Sequence, residues 1–75
     1  MLFGAKVRFL GTEQKTSKKT GNIYNQIMVM QGVESLTVLT DVDVVELAEL
    51  GFGEEYVANF EFNIKYSQLK VIGIK

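Results

Sequence analysis

Apolar and polar residues alternate along most of this chain with the period of two that marks a strand with one face buried. Phe3, Ala5, Val7 and Phe9 fall on one side of residues 2–10, and Gly4, Lys6, Arg8 and Leu10 on the other. The pattern predicts a first strand there, with Lys6 and Arg8 turned outward. Gly4 and Gly11 would let it bend as a barrel strand must. From Thr12 to Asn22 the alternation gives way to polar turn-formers, which predicts a loop or the frayed tip of a long hairpin. Ile23 to Gln31 reads as a second strand, with Ile23, Ile27 and Val29 on its apolar face and Tyr24, Gln26, Met28 and Met30 on the other. Gln31-Gly32-Val33-Glu34 turns the chain, and the β-branched run Ser35 to Thr40 predicts a third strand.

The period changes over residues 43–50. Asp43 can cap a helix, Glu46 stands three residues on, Val42 can pack against Leu47 as a hydrophobic staple, and Gly51 is placed to end the element. One short helix of about two turns is expected. A fourth strand follows over residues 56–66, where Ala58, Phe60, Phe62, Ile64 and Tyr66 share a face, and alternation makes Phe60 and Phe62 core residues. Tyr66-Ser67-Gln68-Leu69 is a tight connection into a fifth strand, Leu69 to Ile74.

The order β-β-β-α-β-β, with a short helix between strands three and four, is that of the five-stranded Greek-key OB barrel, so an all-β fold of this type is expected, as one domain over residues 1–75. Five short strands alone do not fix connectivity, and an SH3-like barrel is the alternative. In an OB barrel the loops joining strands one and two and strands four and five flank the ligand face. Here those loops hold Lys15, Lys18 and Lys19, and Lys65, Tyr66 and Lys70.

Composition sharpens this picture mainly by exclusion. At 75 residues the chain is near the lower limit for folding on a single core, so a homodimer that adds buried surface is expected. It has no cysteine, which removes disulfides, thiolate metal sites and thiol nucleophiles, and no histidine, which removes the commonest general base. Lys19-Thr20-Gly21 and Ser67-Gln68-Leu69-Lys70 match fragments of penicillin-recognising enzymes, but those fragments belong to a much larger fold. Asp41-Val42-Asp43-Val44-Val45-Glu46 begins like a calcium loop and lacks its glycine and later carboxylate, so a capped helix explains it better. No enzyme activity, cofactor, metal or small-molecule substrate is expected. The N-terminal Met-Leu-Phe-Gly-Ala-Lys has no long apolar run, so neither a signal peptide nor a membrane span is expected, and a cytoplasmic setting fits.

The formal net charge is −1, which counts at first against a nucleic-acid partner. Its distribution matters more. Lys6, Arg8, Lys15, Lys18 and Lys19 against Glu13 give residues 1–20 a charge of +4. Glu34, Asp41, Asp43, Glu46, Glu49, Glu54, Glu55 and Glu61 give the middle −8, and Lys65, Lys70 and Lys75 give the end +3. A fold that brings the two ends together makes one positive face.

The strongest local signal is Lys18-Lys19-Thr20-Gly21-Asn22-Ile23-Tyr24. A single strand offers phosphates, which attract mobile cations, and unpaired bases, which stack on flat aromatic rings. Lysines on a loop, a glycine turn and an outward tyrosine supply both. An ordinary solvated hairpin tip is the plain alternative. Lys6 and Arg8 line a groove or merely decorate the outer side of strand one. Tyr66 either caps the core, continuing the register of Phe60 and Phe62, or stands exposed at the last hairpin.

The run of basic residues followed by Lys-x-Gly-x-x-Tyr and a polar–apolar strand resembles the filamentous-phage helix-destabilising proteins, most closely over residues 15–31 and in layout through residue 75. The same pattern looks like what precedes the second strand in bacterial single-stranded DNA-binding proteins. The resemblance implies a small OB-fold dimer that coats single-stranded DNA during replication with little sequence preference, in the host cytoplasm if phage-encoded. It places the family's basic residue before the glycine on Lys19, its stacking tyrosine on Tyr24, and its last aromatic on Tyr66. Gln26 stands where the family has an apolar contact, which puts that contact in doubt.

The candidate nucleic-acid-binding residues are therefore Arg8, Lys15, Lys18, Lys19, Tyr24, Lys65, Tyr66 and Lys70. Single-stranded DNA is the expected partner. RNA stays open, because residue types alone do not reveal a 2′-hydroxyl contact. The competing expectation is a non-enzymatic protein-interaction barrel or accessory subunit, docking through Met28 and Met30, the acidic helix or a strand edge.

Overall fold

A computed structural model describes residues 1–75. Its elements are β1 (Leu2–Thr16), β2 (Ile23–Gln31), β3 (Glu34–Thr40), α1 (Val44–Ala48), β4 (Glu55–Asn63) and β5 (Gln68–Ile74). The strands close into one barrel in the order β1-β2-β3-β5-β4, with α1 between β3 and β4, which is the OB-type arrangement expected. Every neighbouring pair is antiparallel except the seam between β3 and β5, which is parallel and pairs only at Leu39 with Lys70 and Thr40 with Val71.

Closure depends on β1, which is long enough to serve two partners. Leu2 to Arg8 pairs with β4, and Arg8 to Thr16 pairs with β2. Just past the changeover the ladder skips Leu10, so that Phe9 faces Val29 and Gly11 faces Met28. Such a bulge bends a strand and strengthens its twist. Glycine is required there: Gly11 has φ +154°, and a Cβ would lie 3.3 Å from the Met28 Cε. β1 therefore runs six residues past Leu10, through the segment where a loop was one of the two expectations. The side chains of residues 12–16 are exposed, so they carry no burial pattern; the pairing with Tyr24, Asn25 and Gln26 makes them a strand.

The core consists of Val7, Phe9, Ile27, Val29, Val38, Val42, Leu47, Ala58, Phe60 and Val71. Val42 and Leu47 are both buried there, as the staple predicts, so α1 plugs the barrel end where β3 leaves and β4 enters. Asp43 caps the helix by accepting the Val45 N–H at 3.0 Å. The helix is shorter than expected, five residues, and closes on Glu49 rather than at Gly51. The left-handed glycine is Gly53 (φ +79°), whose N–H bonds to the Phe9 carbonyl at 2.7 Å and ties the helix exit to β1. The Tyr56 ring packs edge-on against Phe9, and its hydroxyl accepts the Gly51 N–H at 2.7 Å. Phe52, in contrast, is exposed.

β4 ends at Asn63, three residues before the expected limit. The Asn63 side chain accepts the Tyr66 N–H at 3.3 Å, an alternative to the strand ladder that asparagine readily offers. Ser67 then takes a positive φ of +49° and the chain reverses. Ile64 and Tyr66 consequently leave the core register and stand exposed, and Phe62 is half-buried at the barrel rim rather than in the core. No helix is long and apolar enough to cross a membrane.

Candidate nucleic-acid interface

The outer surface of β1, β2 and β3 follows from the registers. Lys15 lies directly opposite Tyr24, Glu13 opposite Gln26, and Gly11 opposite Met28, all on the side away from the core. On β3 the same side carries Leu39 opposite Gln26, Thr37 opposite Met28, and Ser35 opposite Met30. Tyr24 is partly exposed, and Lys18 and Lys19 stand at the tip of the hairpin just beyond it. That tip is folded rather than frayed: the Ser17 N–H bonds to the Asn22 carbonyl and the Gly21 N–H to the Ser17 carbonyl, both at 2.8 Å.

Because β5 runs parallel to β3, the β4–β5 turn lies at the opposite end of this surface from the β1–β2 tip. Tyr66 stands out from that turn with two-thirds of its surface exposed, which settles it as a surface residue and not a core cap. The Lys65 ammonium sits 5.4 Å from the centre of its ring. From Tyr66 an open cleft lined by Gln26, Thr37, Leu39, Tyr66 and Gln68 runs towards β2 and stops at Gln26, the next outward residue along β2 from Tyr24. Continuing the two registers puts Tyr24 level with Asp41 and Tyr66 level with Ser35, six residue steps along the β3 line, about 20 Å at strand rise.

The cations of the candidate set divide into free and engaged. Lys18, Lys19 and Lys65 have no acidic partner within ion-pair distance, and Lys15 is only loosely held, 4.0 Å from Glu13. Lys70 is engaged: its ammonium lies 2.8 Å from Asp41 and 3.6 Å from Glu61, across the barrel seam. The Asp41 carboxylate, by hydrogen bond and then by charge, with a smaller contribution from Glu61, holds the Lys70 pKa above its ordinary value. Arg8 is also engaged. It stands on the outer side of β1 between Met30 and Glu55, and its guanidinium donates to the Gly53 carbonyl at 2.9 Å. Lys6 beside it pairs with Glu55 at 3.8 Å, so both readings of the outer side of β1 end in local contacts rather than a lined groove.

The structure thus brings together Lys15, Lys18, Lys19 and Tyr24 at one end of this outer surface, beyond the cleft, and Lys65 and Tyr66 at the other. Lys70 lies between them as part of a charge triplet, and Arg8 lies apart. Sequence reasoning missed a second feature, an apolar cavity at the barrel end opposite α1, where Phe3 is 44% exposed instead of buried. The sequence carried one signal for it: the only helix available to plug a barrel end falls between β3 and β4, leaving the other end to whatever the strand termini supply. No family model, curated protein or solved structure matches the chain.

Proposed function

We propose that this barrel binds single-stranded DNA with little sequence preference and protects it during replication. The observation that carries the reading is a pair of exposed tyrosines towards the two ends of one outer surface, Tyr66 lining the cleft beside Lys65 and Tyr24 beyond Gln26 at its far side, with Lys18 and Lys19 free of acidic partners at the hairpin tip. A strand laid along the cleft would stack bases on Tyr24 and Tyr66 while Lys15, Lys18, Lys19 and Lys65 meet its phosphates. The span fits the low end of the range of about 4–16 nucleotides occupied per OB fold. The acidic side chains of Asp43, Glu46 and Glu49 on and around α1 disfavour a second strand beside the barrel, which opposes duplex binding. Self-association would use the outer side of β1, β4 and β5, where Leu2, Val57 and Ile72 are exposed around Gly4 and Gly73.

The test is fluorescence anisotropy of labelled oligo-dT at about 50 and 200 mM salt, with duplex DNA as control. Binding that weakens with salt and is poor for duplex is the expected result. Tyr24→Ala should cost about 1–3 kcal/mol of affinity. A folded Tyr24→Ala protein that binds as the parent does removes Tyr24 from the interface. A folded parent that binds no oligonucleotide at either salt overturns the reading as a whole. Sedimentation of the free protein decides the dimer separately.

A further inference from the structure

The two ends of the barrel are unlike. α1 fills one with Val42 and Leu47, whereas the other holds a cavity of about 260 Å³. It exists because the parallel seam pairs only at Leu39 and Thr40: further down β3, Leu36 has no strand beside it on the β5 side and is 43% exposed. Phe3, Val29, Leu36, Phe60 and Leu69 wall the cavity. The half-exposed Phe3 ring is stacked on buried Phe60, with centroids 5.2 Å apart and 13° between planes, so it is already held in place for a further flat partner. A volume of about 150 Å³ is enough for a benzene ring in an apolar protein cavity, so one heterocycle fits here with room to spare.

The rim is polar, with the Gln31 carbonyl oxygen and the Glu34 carboxylate as acceptors and the Ser35 hydroxyl able to accept or donate. Gln31 spends its amide N–H on the Lys6 carbonyl at 3.2 Å, which leaves its own carbonyl oxygen free. The Glu34 carboxylate and the Ser35 hydroxyl have no partner within the protein. No lysine or arginine lines the cavity, so a phosphate is excluded by charge and by the want of a cation. Apolar walls with an aromatic plate and a few converging polar groups are what a small-ligand site looks like. Acceptors at the edge of a flat slot select an amino group, which cytosine, adenine and guanine present and thymine does not. Leu36 and Leu69 also line the cleft beneath Tyr66, so this cavity opens off the proposed path of the strand.

We infer that the open end of the barrel is a nucleobase pocket that takes one unstacked base bearing an exocyclic amino group, cytosine, adenine or guanine rather than thymine, against Phe3, with Glu34 accepting from the amino group. The inference rests on the single-strand reading for the source of the base, but the pocket is small enough for a free nucleoside to probe it alone. It adds a preference at one nucleotide to binding that is otherwise indifferent to sequence.

The experiment is a titration of the folded protein with cytidine and, separately, thymidine, followed by the NMR signals of the Leu36 and Leu69 methyl groups and of the Phe3 ring. Cytidine should shift these signals and bind at least about fivefold more tightly than thymidine. Glu34→Ala, at an exposed position, should bring the ratio close to one. Phe3→Leu, which keeps an apolar side chain against Phe60, should weaken cytidine binding at least about fivefold. Unmoved Leu36 and Leu69 signals overturn the pocket. So does equal binding of the two nucleosides that Glu34→Ala leaves unchanged, since that marks an apolar hole without base recognition. Should Phe3→Leu fail to fold, Glu34→Ala still decides. Oligo-dT that shifts Tyr24 and Tyr66, in a protein whose Leu36 and Leu69 ignore cytidine, overturns the pocket and leaves the interface standing. Cytidine capture without any oligonucleotide binding does the reverse.

Discussion

Thr40 is the only buried polar side chain in the protein, and it sits at the parallel seam on which barrel closure depends. Its hydroxyl donates to the Val71 carbonyl at 2.9 Å and accepts the Val42 N–H at 3.1 Å. The two bonds are not equivalent. The Val71 carbonyl also receives the Asp41 N–H at 3.0 Å, whereas Val42, itself buried, has no other partner for its N–H. Thr40→Val keeps the shape and removes the hydroxyl, so it orphans one buried donor and deletes one redundant bond. An orphaned buried donor costs about 1–3 kcal/mol and a spare bond less, so a loss of about 2–3 kcal/mol is expected. For a chain of this length total stability is on the order of 4–11 kcal/mol, which makes that loss a large fraction. Urea unfolding followed by circular dichroism should show it as a midpoint lowered by about 2–3 M, at a slope of about 1 kcal/mol per M. Thr40→Ser retains both hydrogen bonds and loses one buried methyl group, about 0.8 kcal/mol. The reasoning predicts that valine is the worse replacement. If the valine variant matches or exceeds the serine variant, water is reaching the Val42 N–H and the hydroxyl does not hold the seam.

Three further outcomes follow from the charges and caps. Lys18→Ala with Lys19→Ala should make the slope of log affinity for oligo-dT against log salt shallower by about 1.4, at about 0.7 per phosphate contact on a single strand, while Lys70→Ala should barely change it. Asp43→Ala removes the α1 cap and should cost about 1 kcal/mol in the same urea assay. Lys70 has a folded pKa raised above its ordinary 10.5, so its charge contributes stability that is complete below that pH and lost as pH rises through the higher folded value. An alkaline series of unfolding curves should therefore show a loss in the parent protein that Lys70→Met does not share.

How much of this was legible in the chain depends on what each residue reports. Alternation reports burial, and it located the first, second and fourth strands and the inward sides of Val7, Phe9, Ile27, Val29 and Phe60, while a β-branched run marked the third. Pairing without burial leaves no such trace, which is why Thr12 to Thr16 read as loop or frayed tip although they are ladder. Alternation also overran the end of β4, because Phe62, Ile64 and Tyr66 keep the period while Asn63 and Ser67 turn the backbone away. The lysines of both loops were plain in the sequence, but their availability was not. Lys70 faces two carboxylates contributed from Asp41 and Glu61, residues 29 and 9 positions away, and only the closed barrel brings all three together. The open mouth at Phe3 was the least legible feature, since it is defined by the brevity of the β3–β5 seam.

The division of cations bears on how such a protein could hold a strand at all. Of its eight basic residues, Lys6, Arg8 and Lys70 are committed to contacts within the barrel, and four of the others, Lys15, Lys18, Lys19 and Lys65, flank the proposed path of the strand. Four phosphate contacts correspond to a salt slope of only about −3. On the proposed function electrostatics would therefore supply a modest share of affinity, and the rest would have to come from surfaces that desolvate bases. Two exposed tyrosines and the Phe3 plate, at about 1–3 kcal/mol per stacked base, are the groups able to supply it. Stacking needs unpaired bases, and a duplex offers none. On the proposed function, a barrel whose affinity resided in its rings and not in its net charge would reject duplex DNA for that reason, and a formal charge of −1 would be no obstacle to its binding a single strand.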